Sequence, residues 1–199
     1  MQFTAAARVV GTQLLSRYGE PHRRYHDRQH LAEVLDAVDL LAHHAGDADA
    51  VRLAAWLHDA VYDPTAAPGA NERASADLAV WLLPPLGHPP AQVALVVRLV
   101  RLTATHQPAP DDLDGQVLCD ADLRVLAAQP ERYAKYAADV RAEYAHLPDA
   151  LFATGRAQVM GRLLDQPRLY NTATGFERWE ARARANVTAE LTRLRLGPR

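Results

Sequence analysis

Apolar positions recur along this chain at intervals of three and four, and no segment alternates apolar and polar as a strand does. The pattern therefore predicts an all-α protein. From Arg28 to His43, the residues Leu31, Val34, Leu35, Val38 and Leu41 share one helix face, with Asp27 placed to cap its start. A second helix is predicted from about Asp47 to Val61. After a loop marked by Pro64, Pro68 and Gly69, Asn71 is expected to cap a third helix that runs to Leu83 and stops at Pro84-Pro85. Pro89-Pro90 open the next, which from Val93 to Leu102 is apolar on nearly all sides and so is expected at the centre of the fold. A polar loop, Gln107 to Gly115, leads to a short helix around Val117 to Ala128. Helices from Pro130, near Leu151 to Leu164 and from Phe176 to Leu194 complete the chain. With no linker, repeat or low-complexity segment, the expectation is one domain over residues 1–199, its C-terminal helices packed on the same core.

Composition narrows the function. The chain has 199 residues and is 49% hydrophobic, enough for a sizeable core. Its formal net charge of −2 gives no basic surface, so neither DNA nor RNA is expected as a partner. No stretch approaches a membrane span and Met1 to Tyr18 has no signal-peptide character, so a cytoplasmic protein without membrane contact is expected. The single cysteine, Cys119, excludes a disulfide framework and a cysteine-based zinc site within the chain.

Three short segments carry chemistry. Trp56-Leu57-His58-Asp59 projects an imidazole and a carboxylate about 100° apart on a helix, from where both can reach an ion at its edge. Tyr25-His26-Asp27-Arg28-Gln29-His30 sets two histidines four residues apart. Its polar flank, with His22, Arg23 and Arg24, also fits a solvated helix start. In Asp120-Ala121-Asp122-Leu123, two carboxylates sit among Val117, Leu118, Cys119, Leu123, Val125 and Leu126, a costly arrangement unless they are paired or hold a cation. Capping explains Asp120 as well as a metal does; Asp122, inside the apolar run, is better explained by a metal.

The order His, His-Asp, Asp resembles the HD superfamily of metal-dependent phosphohydrolases, and most of all its small bacterial members. The matching segments are 25–30, 56–64, 71–76, 120–123 and 141–144, within a core of about 20–165. The resemblance implies a helical HD-domain bundle with His30, His58, Asp59 and Asp122 as metal ligands. The ion would be Mn, Fe, Zn, Mg, Ni or Co. It also implies water attack on a small phosphorylated substrate, with a nucleotide as the expected class. His26 and Asp63 match positions that relatives use for proton transfer, although Tyr62 departs from the acidic pair of alarmone hydrolases. Arg28, Glu72, Arg73 and His106 are the candidates for substrate contact, with Asp120, Lys135 and Arg141 in a supporting shell. His106 fits a second ion or a helix-dipole interaction equally well. A di-iron oxygenase, to which His106 and Asp120 would add ligands, and a non-catalytic nucleotide-binding sensor are the alternatives. Homo-oligomerisation stays open.

Overall fold

A computed structural model describes residues 5–196, and among these every regular element is helical. The α-helices are α1 (Ala5–Arg17), α2 (Arg28–Leu41), α3 (Ala48–Leu57), α4 (Ala70–Leu82), α5 (Pro90–Leu102), α6 (Leu113–Asp122), α7 (Pro130–Glu143), α8 (Asp149–Asp165) and α9 (Ala173–Leu196). Short 3₁₀ turns occupy Ala42–His44, Pro84–Leu86 and Leu123–Ala127. No described helix is long and apolar enough to cross a membrane. The chain divides between Asp122 and Leu123 into two compact units, each with its own buried core.

In the first unit α3 is the hub, packing against α2, α4, α5 and α6. Ala50, Ala54 and Ala55 on α3 have no exposed surface, and such small side chains let the neighbouring helices close in. Val51 and Leu57 add roughly 1.5–3 kcal/mol each by burial. A bulkier residue at Ala54 would overpack this junction at a cost of about 1–3 kcal/mol. The centre is therefore α3 and not α5. The expected all-round burial of α5 is not found: Val93, Val96, Leu99 and Val100 are buried, but Ala91, Ala94, Arg98 and Arg101 are exposed.

The boundaries have local causes. Asp27 caps α2 as the sequence predicts, its carboxylate accepting from the amides of Gln29 (2.8 Å) and His30 (3.1 Å). Asp47 caps α3 in the same way through the Ala50 amide (2.9 Å). That helix ends at Leu57, four residues earlier than predicted. Beyond it, the carbonyls of Asp59 and Ala60 accept from the Arg23 guanidinium, and the Val61 amide donates to Ser75 Oγ (3.0 Å). The backbone is satisfied without another helical turn. Asn71 does not cap α4, which begins after Gly69 at φ 73°, a conformation that favours glycine. Asn71 instead brackets Asp63, taking its amide hydrogen and donating to its carbonyl, both at 3.0 Å. The start of α6 lies inside the predicted loop, where Asp112 accepts from the Gly115 amide (3.0 Å). A Cβ at Gly115 would meet the Asp112 carboxylate and Leu102 Cδ2, so any larger residue there would push these side chains aside. Helix α1, which the hydrophobic pattern does not announce, buries only Leu14.

The second unit is built on α9. Its side chains satisfy the carbonyls of the irregular 123–128 segment: Arg182 Nε donates to Ala127 O (2.6 Å), and Asn186 Nδ2 donates to Leu126 O and Ala128 O (2.8 and 2.9 Å).

Candidate metal centre

His30 stands in the first turn of α2, fixed by the Asp27 cap on its own amide. His58 and Asp59 follow the last residue of α3, and Asp122 ends α6. Three segments distant in sequence thus deliver two imidazoles and two carboxylates to one place. His30 Nε2 lies 3.2 Å from His58 Nε2. Asp59 Oδ2 lies 3.3 Å from the first nitrogen and 3.0 Å from the second. Asp122 Oδ1 approaches the same pair at 3.3 and 3.5 Å. The ligand atoms of His30, His58 and Asp59 all lie within 4.8 Å of one another.

These spacings suit a cation. Two ligands about 2.1 Å from one ion and at right angles to it lie about 3 Å apart. The tautomer fits as well: His58 Nδ1 donates to the Ala55 carbonyl (2.8 Å), which leaves Nε2 to face the cluster. The imidazoles are closed off, with 2% and 1% of their side chains exposed, while Asp59 and Asp122 keep 15% and 13%. The cluster is therefore reached from its carboxylate side.

Electrostatics points the same way. Burial works against a charge on His30, yet hydrogen bonds and charge from Asp122 and Asp59 outweigh it and raise the group to about 9. His58 is likewise raised well above the ordinary histidine value against the effect of burial, chiefly by Asp59, Tyr18 and Asp122. Burial would raise both carboxylates. Instead His58 and His26 hold Asp59 far below the usual range, and His58, His106 and His30 do so for Asp122. Positive charge is strongly favoured at this point. One proton on His30 Nε2 can bond one acceptor well, but three polar atoms crowd that nitrogen; a divalent ion satisfies all of them together.

The neighbouring side chains brace the cluster. The Tyr25 ring packs on His30 at 4.7 Å, and the His26 ring stacks on Tyr62 at 4.2 Å beside His30. Arg23, read from sequence as part of a solvated flank, is buried. It donates to the carbonyls of His26 (2.9 Å), Asp59 (2.8 Å) and Ala60 (3.4 Å), lying against the rings of Tyr18 and Tyr62. It ties the loop before His30 to the segment that carries Asp59. Tyr18, fully buried with its hydroxyl on the Trp56 carbonyl (3.3 Å), is a second such brace. No local signal marks their burial, because the partners Trp56, Asp59 and Ala60 lie almost forty positions away.

The remaining sequence candidates divide. His106 is at the cluster, its Nε2 2.7 Å from Asp122 Oδ2. Glu72 lies on the buried face of α4 one turn before Ser75. Its Oε2 is the one buried side-chain oxygen or nitrogen among the described residues that has no hydrogen-bond partner. Asp63 is exposed, and its Oδ1 accepts from the amide and hydroxyl of Thr65 (2.8 and 2.7 Å). The exposed Arg28 donates to Leu15 O at the end of α1 (2.7 Å), and Arg73 extends over Gly69. Asp120 is fully buried on α6. Lys135 pairs with Asp139 and Arg141 with Asp149, both within the second unit. No protein-family model, curated protein or solved structure matches this chain.

Proposed function

We propose that this chain is a metal-dependent phosphohydrolase of the HD type, with His30, His58, Asp59 and Asp122 holding a divalent ion and a small phosphorylated molecule as substrate. The observation that carries the reading is the convergence of the two imidazole nitrogens, 3.2 Å apart, with a carboxylate oxygen of Asp59 and one of Asp122. Such an ion supplies Lewis acidity and a more acidic bound water. The partly exposed carboxylates leave the substrate an approach to it.

The protein's own groups would handle the proton and the substrate. His26, stacked beside His30 and near enough to Asp59 to lower its pKa, is the group proposed to donate a proton to the leaving oxygen. It is favoured over Asp63, whose carboxylate closes its own turn through Thr65. The buried, unpartnered Glu72 Oε2 is proposed to accept a hydrogen bond from substrate or from an ordered water. The preference for a nucleotide rests on the resemblance to HD phosphohydrolases.

The test is phosphate release from a panel of nucleoside phosphates and phosphate diesters, using metal-stripped protein resupplied with Mn²⁺, Fe²⁺, Co²⁺, Ni²⁺, Zn²⁺ or Mg²⁺. Turnover should appear with at least one ion and vanish in His58→Ala. Metal binding without turnover of any substrate would favour a sensor instead.

A further inference from the structure

Resting on this metal reading, we infer that His106 is a positioning residue for Asp122, not a contact for substrate or for a second ion. Its ring donates from Nε2 to Asp122 Oδ2 at 2.7 Å, while the other oxygen of that carboxylate, Oδ1, faces His30 and His58. A carboxylate pinned by one oxygen presents only the other, so Asp122 offers a single ligand atom of fixed direction. His106 decides which oxygen that is.

The backbone supplies an independent observation. His106 has φ 52° and is the only residue other than glycine with positive φ among those described. It follows α5 at the point where the chain reverses into the 107–112 loop, and its amide donates to Leu102 O (3.0 Å). Glycine or asparagine would meet this conformation at lower cost than a ring-bearing residue. A strained conformation persists when the surroundings require it. Here the requirement is a ring that reaches from this turn to Asp122.

The two effects can be separated by substitution. Glycine at 106 relieves the backbone and deletes the donor. Glutamine keeps the backbone cost but carries an amide nitrogen at about the reach of imidazole Nε2. In metal-free protein, relief of the backbone should offset the lost bond to Asp122, so His106→Gly should melt within a few degrees of wild type. Its Mn²⁺ affinity, measured by calorimetric titration, should fall about 10–100-fold. His106→Gln should melt no higher than wild type yet keep Mn²⁺ affinity within a few-fold of it. A residue that merely supports the fold would rank the variants the same way in both measurements. Unchanged Mn²⁺ affinity in His106→Gly overturns the inference while leaving the metal reading intact. Loss of Mn²⁺ binding in His106→Gln as complete as in His58→Ala overturns it too, by making His106 a ligand. If wild type binds no Mn²⁺, the metal reading fails and takes this inference with it.

Discussion

Among the described residues, a buried cluster of ionisable side chains in the first unit and one in the second are built on opposite principles. In the second unit, Arg156 donates to Glu190 Oε1 (2.8 Å) and to the Tyr136 hydroxyl (2.8 Å), while the Tyr133 hydroxyl donates to Glu190 Oε2. Arginine is permanently charged, the carboxylate has a donor on each oxygen, and the guanidinium lies over the Tyr136 ring at 5.0 Å. That cluster is closed and asks for nothing more. In the first unit, two imidazoles able to offer lone pairs meet two carboxylates, and each imidazole nitrogen has more polar neighbours than one proton can serve. That cluster leaves polar atoms facing one another that a cation would satisfy together. Burial of charge alone therefore does not identify a functional site; the distinction lies in whether the groups satisfy one another.

The largest expected effect strikes the closed cluster. Glu190→Ala leaves a buried guanidinium without its carboxylate, and denaturant unfolding should show a loss of about 3–5 kcal/mol. Its Mn²⁺ affinity should be unchanged, since all four proposed ligands lie in the first unit. Asp59→Asn reverses this outcome. Mn²⁺ at one hundred times its dissociation constant should stabilise wild type by about 2.7 kcal/mol and leave Asp59→Asn unmoved.

The first cluster also responds to pH. Because His30 is raised from 6.5 to about 9, its contribution to the stability of metal-free protein is full below 6.5 and is lost as pH rises through about 9. Asp59 and Asp122 are depressed below 3.8, so theirs is present above that value and is lost as pH falls through their lowered values. Thermal melts of metal-free protein should accordingly weaken between pH 6.5 and 9. With saturating Mn²⁺ the trend should reverse in sign, because deprotonation frees the imidazole lone pairs for the ion. Parallel curves with and without Mn²⁺ would mean that the imidazoles are not ligands.

The smallest effect concerns Arg28, a candidate for substrate contact by sequence. Its guanidinium instead caps the α1 carbonyl of Leu15 and covers Gly19. Arg28→Ala should cost about 0.5–1.5 kcal/mol of stability and leave Mn²⁺ affinity unaltered.

What was legible in the sequence was what is local. The α2 stripe, its Asp27 cap and the His58-Asp59 pair can be read from neighbours one to four residues away, and Asp122 from the apolar run around it. The end of α3 could not be read, because Arg23 and Ser75 satisfy the backbone beyond Leu57 from elsewhere in the chain. The exposure of one side of α5 was hidden because Ala94 counts as apolar yet sits on the exposed face. His106 was visible as a histidine near a helix end, but its bond to Asp122 depends on how α5 and α6 meet. The braces Arg23 and Tyr18 looked like ordinary polar and aromatic residues until the fold joined their segments.

The most direct measurement is a crystal structure of the protein grown with Mn²⁺, with data collected for the anomalous signal of manganese. One strong peak is expected about 2.0–2.3 Å from His30 Nε2, His58 Nε2, Asp59 Oδ2 and Asp122 Oδ1, with Asp122 Oδ2 still on His106. A well-ordered cluster with no anomalous peak at saturating Mn²⁺, or a peak elsewhere on the protein, would contradict this ligand set.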